Sequence, residues 1–358
     1  MKTWDAAIVG GGIIGLSLAL ELRRHGARVL VIERGEPGRE ASHAAAGMLA
    51  FCDPDTPPAL RDLCFASARL FPEFLHQIED ESRQHVDFRR HGTIDFAAPG
   101  HPDPLGEGWR ELSSGEVQQL EPFVSAPPEM RATFLPEQSV DNRGLATAAA
   151  LACKHREVDF SSGSEVTAIE LDAGRACAVR TARTRFPAAA VINCAGCWAG
   201  QLSPIPLPAR PRKGQMLSVI DPEHQHRRLL SHVVRSPDIY LVPRSDGRLL
   251  IGATVEDIGF DKRVDPAVIQ QLHQHAANLV PEIGEMRMHE AWAGLRPGTP
   301  DDLPILGATS VPGYFVATGH YRNGILLSAV TARMMAAVVR GQDPGFDLSP
   351  FSAGRFEK

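Results

Sequence analysis

The chain of 358 residues holds only six cysteines, Cys52, Cys64, Cys153, Cys177, Cys194 and Cys197. That is too dilute for a disulfide scaffold, and a chain this long can bury a core without staples. The expected compartment is the reducing cytoplasm. Positive charge is also scarce: 37 Lys and Arg against 43 Asp and Glu leave a net charge of −6, without the cationic surplus of a phosphate-backbone binder. Arg23-Arg24, Arg89-Arg90 and Arg227-Arg228 are too short to form a basic face and read as solvated surface, as a local patch at most does Arg210-Pro211-Arg212-Lys213. No nucleic-acid partner is expected. The longest uncharged apolar stretch, Ala6 to Leu20, is too short to span a membrane and is cut by three glycines. Asp5 ahead of it argues against a secretory signal, and no membrane partner is expected. Metal spacing is missing too, since Cys194-x-x-Cys197 has no second pair, and His224-x-His226 and His273-x-His275 lack convergent carboxylates. No metal is expected.

With 43% hydrophobic and 22% charged residues, the chain reads as folded and long enough for two compact units. Its clearest local unit comes first. An apolar run Ala6 to Val9, the turn Gly10-Gly11-Gly12, a periodic segment Ile13 to His25 closed by Gly26, and the run Val29 to Ile32 read as strand, helix and strand. Further on, Leu60 to Ser82 and Leu145 to His155 have helical periodicity, and Gly92 to Ala98 alternates like an edge strand. Glu165 to Leu171 and Ala190 to Cys194 read as strands. Pro204, Pro206, Pro208 and Pro211 break regular structure at a crossing between domains. Ile239 to Thr254 forms a hairpin around Ser245-Asp246-Gly247, and Gly313 to Ala317 is a strand before a helix from about Asn323 to Arg340.

Gly10-x-Gly12-x-x-Gly15 falls between the first strand and helix, with Glu33 ending the next strand. In this context the motif binds a dinucleotide: Gly10 permits the tight turn, Gly12 the approach of a pyrophosphate, and Gly15 close packing of helix on strand. The helix N-terminus adds N–H groups and positive dipole. Glu33 can accept both ribose hydroxyls and would repel a 2′-phosphate, but the motif alone leaves FAD and NAD open.

Three further stretches, Arg39-Glu40-Ala41-Ser42-His43-Ala44-Ala45-Ala46-Gly47-Met48, Gly294-Leu295-Arg296-Pro297 and Gly319-His320-Tyr321-Arg322-Asn323-Gly324-Ile325-Leu326-Leu327, decide the resemblance. Together with the glycine turn they resemble the FAD-dependent amine oxidases of the D-amino acid oxidase superfamily, and the last is most similar to the bacterial glycine oxidases of the thiamine pathway. The likeness runs end to end. It implies an α/β fold: a discontinuous Rossmann-type FAD-binding domain (1–84, 139–209, 294–358) with an inserted α+β substrate domain (85–138, 210–293) on a mainly antiparallel sheet.

The same resemblance implies non-covalent FAD. Gly10, Gly12, Ile13, Ile14, Gly15, Glu33 and Arg34 would hold its ADP half, and Ser42, Ala45, Ala46, Gly47 and Met48 would line the route to the isoalloxazine. Val166 would meet the adenine by its backbone. Cys194, Ala195, Gly196 and Trp198 would pass close to the cofactor, and His320, Arg322, Asn323, Gly324, Ile325 and Leu326 would reach the flavin ring. A helix starting near Asn323 would aim its positive end at the reduced flavin.

Arg296 would fix the substrate carboxylate through two parallel hydrogen bonds. Tyr240 would close the pocket and donate to the same carboxylate, and Arg322 would meet the amine side through its backbone carbonyl. The implied substrate is a small amino acid or amine, oxidised by hydride transfer to flavin N5, which needs alignment rather than a side-chain base. Dioxygen would reoxidise the flavin to give hydrogen peroxide, and the imine would hydrolyse, to glyoxylate and ammonia from glycine, or supply thiazole synthesis. A homo-oligomer is implied as well. Asp238 and Val255 stand where the glycine oxidase pattern has histidine and methionine, an acid that favours an ammonium and a smaller side chain that admits a larger amine. Competing readings are a D-amino acid dehydrogenase, an oxidase of larger amines in specialised metabolism, a flavin enzyme of tRNA and a flavin protein without turnover. No membrane anchor supports the first and the net charge opposes the tRNA enzyme, while the last leaves Arg296 and Tyr240 without a task.

Overall fold

Trp4–Val9 and Val29–Glu33 lie side by side as parallel strands, buried along nearly their whole length. Strands covered on both faces read as near-continuous apolar runs, which is how these two appear in the sequence. The structure, a computed structural model, describes residues 2–220 and 229–356. The helix Ile13–Arg24 joins the two strands and stops at Gly26, whose φ of +84° suits glycine. Parallel pairing extends the sheet in the order Asp159–Ser162, Val29–Glu33, Trp4–Val9, Arg185–Asn193 and Tyr314–Thr318, with Ile305–Ala308 antiparallel at its end. The start of Arg185–Asn193 bends into an antiparallel ladder with Arg175–Thr181 and Val166–Asp172.

One face of this sheet packs Ile8 and Val31 against Leu16 and Leu20 of the first helix and against the helices Pro58–Ser82, Asn142–His155 and Ser328–Val339. The other face packs Ala7, Leu30, Val191 and Tyr314. A second eight-stranded sheet runs in the order Arg287–Gly298, Arg210–Ile220, Arg248–Gly252, Tyr240–Pro243, Val233–Arg235, Thr93–Ala97, Arg131–Leu135, Arg110–Leu112. It is antiparallel except between Val233–Arg235 and Thr93–Ala97. The helix Pro266–Leu279 covers it with Ile269, Leu272 and Ala276. The fold is the α/β architecture expected, and both sheets mix parallel and antiparallel strands.

Several local expectations need correction. Thr93–Ala97 is paired on both sides and is no edge strand. Its alternation arises because Asp95 faces Arg235, Oδ1 accepting from Nε at 2.6 Å, rather than water. Regular α-helix begins at Ser328, not near Asn323: a 3₁₀ turn, Tyr321–Asn323, comes first and 324–327 continue as turn. Pro211 lies inside the strand Arg210–Ile220, opposite Pro297 where neither ladder position needs an N–H. The strand Arg287–Gly298 runs through the boundary expected at 293. Arg89 is buried, not solvated, and donates from Nη2 to Ser231 O at 2.9 Å. Arg227-Arg228, His224 and His226 lie outside the described residues.

Candidate active site

The glycine turn is closed by backbone that no side chain could share. A Cβ on Gly10, whose φ is +105°, would lie 2.5 Å from Cys194 O, and one on Gly15 would lie 2.1 Å from Gly10 O. Gly12 caps the helix Ile13–Arg24 without a side chain, so the helix end stays open, while Ile13 N–H donates to Ser42 Oγ at 2.9 Å. This is the cradle a pyrophosphate needs. Glu33 is fixed beside it: Oε2 accepts from Gly11 N–H at 2.8 Å and Oε1 from Gly35 N–H at 2.9 Å. Arg34 pairs with Glu40 at 2.6 Å, and its guanidinium lies 3.7 Å from the Trp198 ring centroid.

From that turn a cavity of about 690 Å³ runs between the two sheets. It passes the loop Ala44 to Met48, the chain from Cys194 to Trp198 and the segment from His320 to Ile325, and reaches Tyr240 and Arg296. Arg296 Nη1 donates to Thr254 O at 3.0 Å and Lys213 O at 3.4 Å, and among the described residues it has no acidic partner. A guanidinium held by carbonyls and open to a cavity is set to receive a carboxylate. Burial raises the Tyr240 hydroxyl above the ordinary tyrosine range, against the opposing charges of Arg296 and Arg322, so it stays a protonated donor. It donates to Met216 Sδ at 3.6 Å. Two glycines make room for this pair, since a Cβ on Gly252 would lie 2.7 Å from the Tyr240 hydroxyl and one on Gly214 2.2 Å from Arg296 Nη1. His320, buried beside the cavity, bonds Thr331 Oγ1 at 3.1 Å, and burial lowers it to about 3, so it is neutral. Cys194 and Cys197 are free thiols that burial pushes up to about 12.

Residues 5–338 match the family model for FAD dependent oxidoreductase, DAO. The chain belongs to this family. Members of the DAO family similar to this chain include the bifunctional protein ThiO/ThiG of Trichormus variabilis, 36% identical over 99% of this chain and 56% of that protein. The chain thus spans about half the length of such ThiO/ThiG relatives. Glycine oxidase of Geobacillus kaustophilus is 35% identical over 98% of this chain and 97% of its own length. Its crystal structure superposes with a TM-score of 0.92 over 98% of both chains at 34% identity. The hydrogen cyanide synthase subunit HcnC of Pseudomonas aeruginosa is 32% identical over 99% and 97%. As a member of the DAO family the chain is an FAD-dependent oxidoreductase, and it is similar to glycine oxidases in both sequence and fold.

Within this family member, all but two of the expected site residues line the one cavity: Gly10, Gly12, Ile13, Ile14, Glu33, Arg34, Ser42, Ala45, Ala46, Gly47, Met48, Val166, Cys194, Ala195, Gly196, Trp198, Tyr240, Arg296, His320, Arg322, Asn323, Gly324 and Ile325. Gly15 stands behind the turn as a packing residue. Leu326 is set back in the helical core, its carbonyl accepting from Ser67 Oγ at 2.6 Å. Arg322 is exposed, with its guanidinium 5.2 Å from the Tyr321 ring centroid. The sequence reading missed Gly214 and Gly252, the carbonyls of Lys213 and Thr254 that hold Arg296, and the partly buried Arg235. A Gly two residues before a polar, apolar-flanked strand pattern is too common a signal to have found them.

Proposed function

We propose that this chain oxidatively deaminates glycine or another small amino acid, with FAD held non-covalently along the cavity and dioxygen as the electron acceptor. The observation that carries the reading is Arg296, a guanidinium without an acidic partner among the described residues, beside the protonated Tyr240 in the cavity that begins at the glycine turn. The cofactor fits the residues present: a Cβ would fill the cradle at Gly10, and Glu33 stands at the open helix end as a ribose acceptor. FAD bound there supplies a two-electron acceptor for the substrate Cα–H bond, and its reoxidation by dioxygen yields hydrogen peroxide.

The residues of this chain do the rest. Arg296 takes the substrate carboxylate in a two-bond clamp, and Tyr240 donates to the same group, so the Cα–H bond has one orientation. Met48 and Ile325 line apolar wall and exclude water from the reacting carbon. Asp238, at the rim, draws the ammonium group inward. The imine formed from glycine hydrolyses to glyoxylate and ammonia or, intact, supplies thiazole synthesis for thiamine. Likeness to ThiO/ThiG proteins and to a glycine oxidase supports this placement. Six free cysteines support a cytoplasmic setting. A second reading, a larger amine, is favoured by the cavity's extension past Tyr240 to Asp95, Arg235, Asp238 and Val255.

Anaerobic addition of glycine, sarcosine and small D-amino acids to the purified protein tests both. Bleaching of flavin absorbance by glycine, reversed by air with release of hydrogen peroxide, is the expected result. Bleaching by larger amines alone moves the substrate to the second reading. Purified protein that neither contains nor takes up FAD overturns the proposal.

A further inference from the structure

The loop that follows Glu40 has almost no side chains with which to hold itself. After one helical turn, Ala41–Ala44, it continues Ala45-Ala46-Gly47 into the strand Met48–Leu49. A helix of one turn leaves its last carbonyls without intrahelical partners, and buried carbonyls must find donors elsewhere. Here the donors are side chains far away in sequence. Asn142 Nδ2 donates to Ser42 O at 2.8 Å and His43 O at 3.1 Å. Trp292 Nε1 donates to Ala44 O at 3.0 Å. Arg244 Nη2 donates to Ala46 O at 2.7 Å and to Asn142 Oδ1 at 3.1 Å.

Arg244 is the unusual member. It is 4% exposed, and burial pulls its guanidinium down to about 10, the nearest acids acting only at a distance. Burying a cation without a paired carboxylate is unfavourable unless hydrogen bonds compensate it, and here the acceptors are Ala46 O and Asn142 Oδ1. Arg244 closes a buried chain of bonds from the hairpin that carries Tyr240 through Asn142 to the carbonyl of Ser42, where the loop begins. Trp292 is backed by Arg143, whose guanidinium lies 4.7 Å from its ring centroid. The loop so held lines the cavity between the glycine turn and the substrate end.

We infer that Asn142, Arg244 and Trp292 are positioning residues that set the 42–47 backbone against the flavin ring, linking the substrate-side hairpin to cofactor binding. This rests on the proposed reading of the 42–48 loop as the wall of the flavin site. A residue that shapes only this wall governs the ring half of the cofactor and leaves the ADP half alone.

The test measures the affinities of the deflavinated full-length chain for FAD and for ADP, with the visible flavin spectrum, in Arg244→Met, Arg244→Lys, Asn142→Ala and Trp292→Phe. Ala46→Val probes the wall directly. The expected result is FAD binding weakened by about tenfold in Arg244→Met and Asn142→Ala, the loss of a charge-assisted bond, with shifted flavin bands. ADP binding stays within about twofold of the parent, and Arg244→Lys recovers part of the loss. Trp292→Phe keeps the ring under Arg143 and removes only the N–H, so it carries the test if Arg244→Met does not fold. Equal weakening of FAD and ADP overturns the inference in favour of a general structural role. FAD affinity and spectrum unchanged in these variants, but altered by Ala46→Val, overturns it while leaving the flavin wall in place. If Ala46→Val is silent as well, the reading of the wall fails, and the inference with it.

Discussion

Gly214 lies under the guanidinium of Arg296: a Cβ at position 214 would come within 2.2 Å of Nη1 and 2.6 Å of Cζ. On the proposed reading, the strand Arg210–Ile220 therefore sets where a substrate carboxylate would be received. Gly214→Ala will push the guanidinium off its carbonyls at Thr254 and Lys213. The Michaelis constant for the amino acid should rise by about tenfold, with FAD content unchanged, as steady-state kinetics and visible absorbance will report.

Arg296→Ala removes the proposed carboxylate clamp. With the carboxylate left in a partly desolvated cavity, kcat/KM for an amino acid should fall by about 3 kcal/mol, on the order of a hundredfold. An amine of the same size without a carboxylate should lose little. Comparing the two substrates on the variant separates carboxylate recognition from general damage.

His320 gives the acid limb of stability a particular shape. Its ordinary value of 6.5 is lowered to about 3 by burial, so between these values the unfolded chain binds a proton that the folded chain refuses. Stability contributed by the neutral ring is complete above pH 6.5 and is lost as pH falls toward 3, at up to about 1.4 kcal/mol per pH unit. Urea unfolding from pH 7 to pH 4 should show this slope, and His320→Gln should flatten it.

Arg235 and Asp95 pair at 2.6 Å, with Glu137 3.9 Å away, raised by its burial. Asp95→Ala leaves the guanidinium poorly compensated and should cost about 3–5 kcal/mol. A double variant in which Arg235→Met accompanies it should recover much of that loss. A double-mutant cycle in chemical denaturation checks the coupling.

The first strand, helix and strand were legible because apolar period, glycine spacing and stop signal all agree over residues 4 to 33. Tyr240 and Arg296 were reached through the family's motifs, and periodicity alone would not have named either. What stayed hidden were partnerships across long sequence separations. Thr93–Ala97 imitates an edge strand because Asp95 finds a partly buried arginine 140 residues away. Arg244 looks like a charged end to a hairpin, yet it is spent on the carbonyl of Ala46, 198 residues earlier. A backbone acceptor leaves no mark in the sequence, so a donor that serves one cannot be recognised there.

On the proposed chemistry, hydrogen peroxide forms in a cavity that two of the enzyme's own cysteines also line. Peroxide attacks thiolates, and its targets are cysteines whose acidity is enhanced. Cys194 and Cys197 line the cavity, but burial pushes both up to about 12, so they stay protonated at neutral pH. The apolar packing that seals the cofactor strand thus also shields the catalyst from the oxidant it releases.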